Sequence, residues 1–329
     1  MITMTGRQEH DAERERTIKR LIADALPIIQ DYSYNFEGKS MVTAELYIRR
    51  VLKFAEFFEG RDLTELKKSD INRYMESIKY REKDGERVEV SATVRRAVLA
   101  AIKDFYTFLV DNDEIENNPC ANIKPPKLQE PKEPIYLTPK EIKKVEHAIT
   151  GGKTESVYSE NIREILRVRD YAVFLLGCTT GLRRGAISEI NIEDVDFLNG
   201  IITVTEKGNK QRDIHIGEKT MNALDEWFIQ RKYFPVEITT DALFVTKLGK
   251  RMQGQDIGKM IKKYTEDLGK HITPHKMRST CATNLYDKTG DIYLVQSVLG
   301  HSNIANTRRY AKVRDDKLKN AAKTMNGLV

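Results

Sequence analysis

Residues 275–310 gather side chains able to act on a phosphodiester: an arginine, two histidines and a tyrosine. His275 and Arg278 stand three apart, a spacing that places both on one face of a helix. Arg278 offers paired donors matched to phosphate oxygens. His275, and His301 further on in Leu299-Gly300-His301, can donate to the same anion near neutral pH. Tyr310, closing the run Asn306-Thr307-Arg308-Arg309-Tyr310, carries one of the few groups that can attack and remain covalently attached. The combination is that of a tyrosine attacking phosphorus. Each member also has an ordinary reading, since a His and an Arg one turn apart are commonly surface residues and a tyrosine is commonly interfacial.

The elements that must hold these groups come from periodicity. The chain has 329 residues, 40% of them hydrophobic, enough for two domains with sizeable cores. Residues 1–14 read as a frayed or disordered tail. Helical spacing then recurs over residues 15–30, with Pro27 kinking or ending that helix, and over 42–58. Asp70 fits an N-cap for 71–78, and Ser91 opens a helix to about 110. With no strong strand signal, residues 15–122 are expected to form an all-helical bundle. Its polar face carries Arg49, Arg50, Lys53, Arg95, Arg96 and Lys103. Such charges are either a solvated face or, because two helices each bring a cluster, a surface for a phosphate backbone.

Prolines then concentrate over residues 123–134, an extended linker. Residues 135–329 are expected to be mixed α+β. Thr138, Pro139 and Glu141 form a helix-start signature, and a long helix spans about 162–176. Two strands, 201–204 and 213–216, flank a basic hairpin tip with Lys207, Lys210 and Arg212. A further short strand is expected at 242–245. Short helices broken at Gly269, Pro274, Gly290 and Gly300 complete the chain. The fold class is thus mainly α, with one small antiparallel sheet.

Three scattered cysteines without CxxC spacing support neither a disulfide framework nor a zinc site. No apolar run reaches bilayer length, and residues 1–16 lack the apolar core of a secretory signal, so a cytoplasmic, nucleoid-associated protein is expected. A net charge of +6 permits DNA as partner.

In order along the chain, Thr180-Gly181-Leu182-Arg183, the Lys207-Gly208-Asn209-Lys210 tip, His275-x-x-Arg278, Leu299-Gly300-His301 and Tyr310 resemble the catalytic domain of the tyrosine recombinases, the lambda-integrase and Xer family. The resemblance covers about residues 135–312, and the preceding helices look like that family's core-binding domain. It implies that Arg183 and Arg278 clamp the scissile phosphate, that His275 and His301 hydrogen-bond to it, and that Tyr310 is the nucleophile. Lys207, ahead of its neighbour Lys210, would protonate the 5′-oxygen. The product is a 3′-phosphotyrosyl linkage, and neither metal nor other cofactor is needed. The resemblance further implies a homo-tetramer on two duplexes with inverted-repeat core sites, a Holliday junction, and accessory DNA-bending proteins as further partners. It fits a mobile-element integrase or excisionase as well as an Xer-like dimer resolvase. The stretch before residue 15 is shorter than a lambda-type arm-binding domain, so a two-domain, Xer-sized enzyme is expected. One position departs: Ala186 stands where the family commonly has an acid, with Glu189 one turn on. Residues 313–329, with Leu318, Ala321, Ala322, Met325 and Leu328 at helical spacing, either pack locally or dock on a neighbouring protomer. A catalytically degenerate DNA-binding protein, a type IB topoisomerase and, least well matched, a metallohydrolase are the rival readings.

Overall fold

The structure, a computed structural model, describes residues 6–36, 40–128, 134–151, 160–206, 210–234, 237–238 and 240–311. The chain divides into two compact units, Met1–Glu130 and Pro131–Val329.

The first unit is built on α1 (Gly6–Ile22), α2 (Pro27–Tyr34), α3 (Met41–Phe57), α4 (Lys68–Ser77) and α5 (Ala92–Asp111). Helix α3 buries Ala44, Ile48, Val51 and Phe54, a three-to-four-residue spacing that forms one stripe. Helix α5 answers with Leu99, Ile102, Phe105, Tyr106 and Leu109, and its start is capped by the Ser91 hydroxyl, which accepts from Val94 N at 3.3 Å. Edge-to-face aromatic pairs knit the core, among them Tyr32 with Phe105 and Phe54 with Tyr74. The buried hydroxyls are satisfied: Tyr32 donates to Asp104 at 2.8 Å and Tyr106 to Leu63 O at 2.9 Å.

Four expectations for this unit need correction. Helix α1 already begins at Gly6, so most of the expected tail is helical. Pro27 does not kink a continuing helix but opens α2, where its missing N–H costs nothing. The residue before α4 is Lys67, and Asp70 works from the third helical position by accepting from Lys67 N at 3.0 Å. Arg61 and Arg73 also donate to Asp70, and these bonds hold its carboxyl down at about 2. Lastly, the unit is not all helical: β1 (Tyr80–Lys83) and β2 (Glu86–Glu89) pair antiparallel around Asp84-Gly85, both at positive φ.

The second unit contains α6 (Pro139–Gly151), α7 (Glu160–Thr180), α8 (Arg184–Glu189), β3 (Val195–Asp196), β4 (Ile201–Glu206), β5 (Lys210–His215), α9 (Glu218–Arg231), α10 (Gly254–Thr265), α11 (Pro274–Thr289), α12 (Ile292–Leu299) and the short α13 (Ala305–Arg308). The three strands form an antiparallel sheet in the order β3-β4-β5, with Val195 opposite Ile202 and Ile202 opposite Ile214. That apolar face, Phe174 and Leu176 of α7, and Leu224 and Trp227 of α9 share one core. Each large side chain buried there contributes about 1.5–3 kcal/mol. At the start of α6 the capping box is present: Thr138 N donates to Glu141, and Glu141 N donates to the Thr138 hydroxyl.

The strand expected at 242–245 is reduced to two isolated bridges, Asn191 with Ala242 and Val245 with Arg251. Side chains satisfy several of its carbonyls instead. Trp227 Nε1 donates to Leu243 O, Arg169 to Val245 O and Arg231 to Ala242 O, each within 2.9 Å.

Candidate active site

A small separate core of Ala282, Val295, Leu299 and Tyr310 fixes the site. It joins α11, α12 and the residues after α13, so the tyrosine is set by packing.

Three helix ends meet around Arg278. Helix α7 stops at Gly181, whose φ of +64° suits a residue without a side chain. A Cβ there would lie 2.7 Å from Leu299 Cδ2 and 3.3 Å from Cys281 Cβ, so the glycine also permits close approach. Helix α11 starts at Pro274 and carries Arg278 on its buried face. Helix α12 ends at Gly300, again left-handed at φ +64°. The Arg278 guanidinium, only 2% exposed, donates to Gly181 O at 2.7 Å and to Leu299 O at 2.8 Å. Its fork is thus held by two helix-end carbonyls that have no intrahelical partner. Burial and the nearby charge of Arg183 push Arg278 down to about 10.

His275 lies one turn before Arg278 and is exposed. His301 follows the α12 cap and is half-buried. Its backbone N donates to Gln296 O, Gln296 Nε2 donates back to His301 O, and its Nδ1 lies 2.8 Å from the Thr307 hydroxyl. With Nδ1 engaged, Nε2 is the ring nitrogen left for a ligand. Burial, then the charges of Arg278, Arg183 and Arg309, push His301 down to about 4. The same causes, burial first and Arg309 second, lower His275.

Tyr310 is 3% exposed, and its hydroxyl accepts from Arg309 Nη2 at 2.6 Å. The same nitrogen lies 3.1 Å from His275 Nε2, and the guanidinium carbon sits 4.8 Å from the Tyr310 ring centroid. Arg309 was not singled out from the sequence. The only available signal was its position beside the tyrosine.

Arg183, at the start of α8, is exposed, and its side chain has no hydrogen bond or ion pair among the described residues. Ala186 is half-buried against the main core, so the position that is commonly acidic supplies no partner to Arg183. Arg212 of β5 donates to Val298 O at 3.1 Å, tying the sheet to the end of α12, and its charge reaches Arg278. Lys207 lies outside the described residues, and of Lys210 only the backbone, paired with Glu206, is described.

The structure therefore brings Arg278, His275, His301 and Tyr310 together, with Arg183 and Arg212 near enough for their charges to be felt. Such an array of cations and imidazoles with no opposing carboxylate among its described contacts is suited to an anion, and fixed donors stabilise charge that grows on it. A cavity of about 500 Å³ lined by Arg167, Asp170, Lys259 and Tyr264 lies elsewhere in the same unit and contains none of these groups.

In the first unit the six candidate DNA-binding cations differ. Arg49 is paired with Glu45 and Arg95 with Glu89, each at 2.9 Å. Arg96 donates to Pro126 O at 3.1 Å and Lys103 to Ala121 O at 3.5 Å. The side chains of Arg50 and Lys53 have no hydrogen bond or ion pair among the described residues.

Comparison with known proteins places these features in context. Residues 137–317 match the phage integrase family, and residues 34–113 match the phage integrase N-terminal SAM-like domain. The tyrosine recombinase XerC of Chlorobaculum tepidum is 33% identical over 239 residues, 68% of this chain and 70% of that protein. XerD of Oceanobacillus iheyensis is 27% identical over 86% of this chain and 91% of its own length. Among solved structures, the XerH site-specific recombinase bound to palindromic difH substrate has a TM-score of 0.69 at 20% identity, covering 96% of this chain and 89% of XerH. The lambda integrase dimer on a core site gives 0.63 at 16% identity, covering 88% and 95%. Both share the fold.

Proposed function

The chain belongs to the phage integrase family of tyrosine recombinases, enzymes of site-specific DNA strand breakage and rejoining, and from that premise we propose that Tyr310 cleaves DNA through a 3′-phosphotyrosyl intermediate. The observation that carries the reading is the convergence of Arg278, His275 and His301 on the buried Tyr310. Arg183 and Arg278 hold the non-bridging oxygens of the scissile phosphate, His275 and His301 donate to the same group, and Lys207 protonates the departing 5′-oxygen. The phosphodiester's energy is conserved in the tyrosyl ester, so rejoining needs no other energy source. Four protomers on two duplexes with inverted-repeat core sites would exchange strands through a Holliday junction, serving a mobile element's integration and excision or, in the Xer manner, dimer resolution. The XerC likeness above 30% identity supports the second role.

The test uses nicked suicide duplexes drawn from a randomised pool. Covalent protein–DNA adduct on a denaturing gel is expected from the wild type and not from Tyr310→Phe. Retardation of DNA without adduct, under conditions where a known relative reacts, would instead make the chain a DNA-binding accessory protein. The sequences captured then separate the two roles: ends of a mobile element, or one inverted repeat of the host chromosome.

A further inference from the structure

We propose that Arg309 is a further catalytic residue, a third guanidinium that serves the nucleophile itself. This rests on the assignment of Tyr310 as nucleophile. Arg183 and Arg278 are placed for the phosphate, and Arg278 spends two of its donors on backbone carbonyls. Arg309 differs in its target: it donates to the Tyr310 oxygen at 2.6 Å and lies over the ring. A cation at that oxygen steadies the negative charge that develops there as the proton leaves.

The second contact supplies the proton's destination. Arginine has donors only, so at 3.1 Å from the same Nη2 the His275 Nε2 acts as acceptor and is unprotonated. The groups around it agree, since burial and the charges of Arg309, Lys276, Arg278 and Arg183 all disfavour a positive charge on His275. In the step, His275 Nε2 gives up its bond from Arg309 and takes the Tyr310 O–H proton as the phenolic oxygen attacks phosphorus. The Tyr310 O–P bond forms, the P–O5′ bond breaks, and the leaving oxygen takes a proton from the general acid assigned to Lys207. Arg309 stays protonated throughout, and its bond to the tyrosine oxygen is strongest while that oxygen is most negative.

Arg309 is exposed, so its replacement should leave the core undisturbed. The experiment measures adduct formation by full-length wild type, Arg309→Gln and Arg309→Lys on a captured duplex from pH 6 to 9, with DNA retention and thermal unfolding as controls. Arg309→Gln is expected to bind and fold normally yet cleave on the order of 100-fold more slowly, the usual effect of losing one donor to a developing oxyanion. Its rate should recover in part as pH rises, since hydroxide then helps to remove the proton in the step, and Arg309→Lys should restore part of it. A second substrate, with sulfur in place of the bridging 5′-oxygen, has a leaving group that needs no proton. The Arg309→Gln defect should persist on it, whereas a Lys207→Ala defect should shrink. Cleavage by Arg309→Gln at the wild-type rate overturns the assignment, as does a defect cured by the sulfur substrate. If wild type forms no Tyr310-dependent adduct, the recombinase reading fails first and this assignment with it.

Discussion

His301 illustrates how one residue's surroundings set its charge. Its ring is half-buried, faces several cations and has Nδ1 committed to Thr307, so its pKa falls to about 4 against 6.5 for an ordinary histidine. Between these values the unfolded chain holds a proton that the folded chain has lost. Stability then rises with pH across this window and is lost as pH falls from about 6.5 towards 4. His275, lowered for the same reasons, acts in the same direction. The thermal midpoint should therefore fall on acidification from pH 7 to 5, and His301→Gln should flatten that fall; an unchanged slope would show that another group is responsible. Residue types and spacing suggested His275, Arg278, His301 and Tyr310, but only the resemblance of their motifs to a known family made them legible as a set. The anchoring of Arg278 was not, because its acceptors lie 97 and 21 residues away along the chain. Arg309 was nearly as hidden, since its place next to Tyr310 is all that distinguishes it locally from Arg308.

At the level of elements, the site depends on helix ends that stop where they do. Gly181→Ala would force a side chain onto a left-handed backbone and place its Cβ against Leu299. The strain is about 1–3 kcal/mol. The carbonyl that moves is the one holding Arg278, so adduct formation should drop together with the unfolding midpoint. A variant that loses stability but cleaves normally would show that Arg278 does not need this carbonyl. Element-level legibility followed burial. Helices with one apolar stripe, such as α3 and α5, were read correctly because their periodicity is their packing. The β1-β2 hairpin was missed because all eight of its residues are exposed, leaving no buried alternation to detect, although Asp84-Gly85 was a turn signal in plain view. The run 242–245 misled in the other direction. It is buried throughout, as a strand would be, but side chains from α7 and α9 take the carbonyls that a neighbouring strand would have used.

For the molecule as a whole, a net charge of +6 is modest, so affinity for DNA must come from where the cations stand and which of them are already occupied. Neutralising a phosphate releases condensed counterions, and the logarithm of the binding constant falls with the logarithm of salt by about 0.9 per contact. A cation already tied to a carboxylate must surrender that partner to make a new contact, which returns part of the gain. On this ground the six basic positions of the first unit are not equivalent. Arg49 and Arg95 sit in ion pairs, and Arg96 and Lys103 are held by backbone carbonyls. Arg50 and Lys53, three residues apart on α3, have no such partner among the described residues, so a phosphate contact there would displace none. Titrating a captured duplex at 50–200 mM salt should show Arg50→Ala and Lys53→Ala each lowering the slope by about 1, uniformly across DNA sequences. Arg49→Ala and Arg95→Ala should change it less. If all four act alike, the ion pairs open freely on binding and the face works as a diffuse cationic surface. If only the paired residues matter, Glu45 and Glu89 are positioning their arginines for DNA.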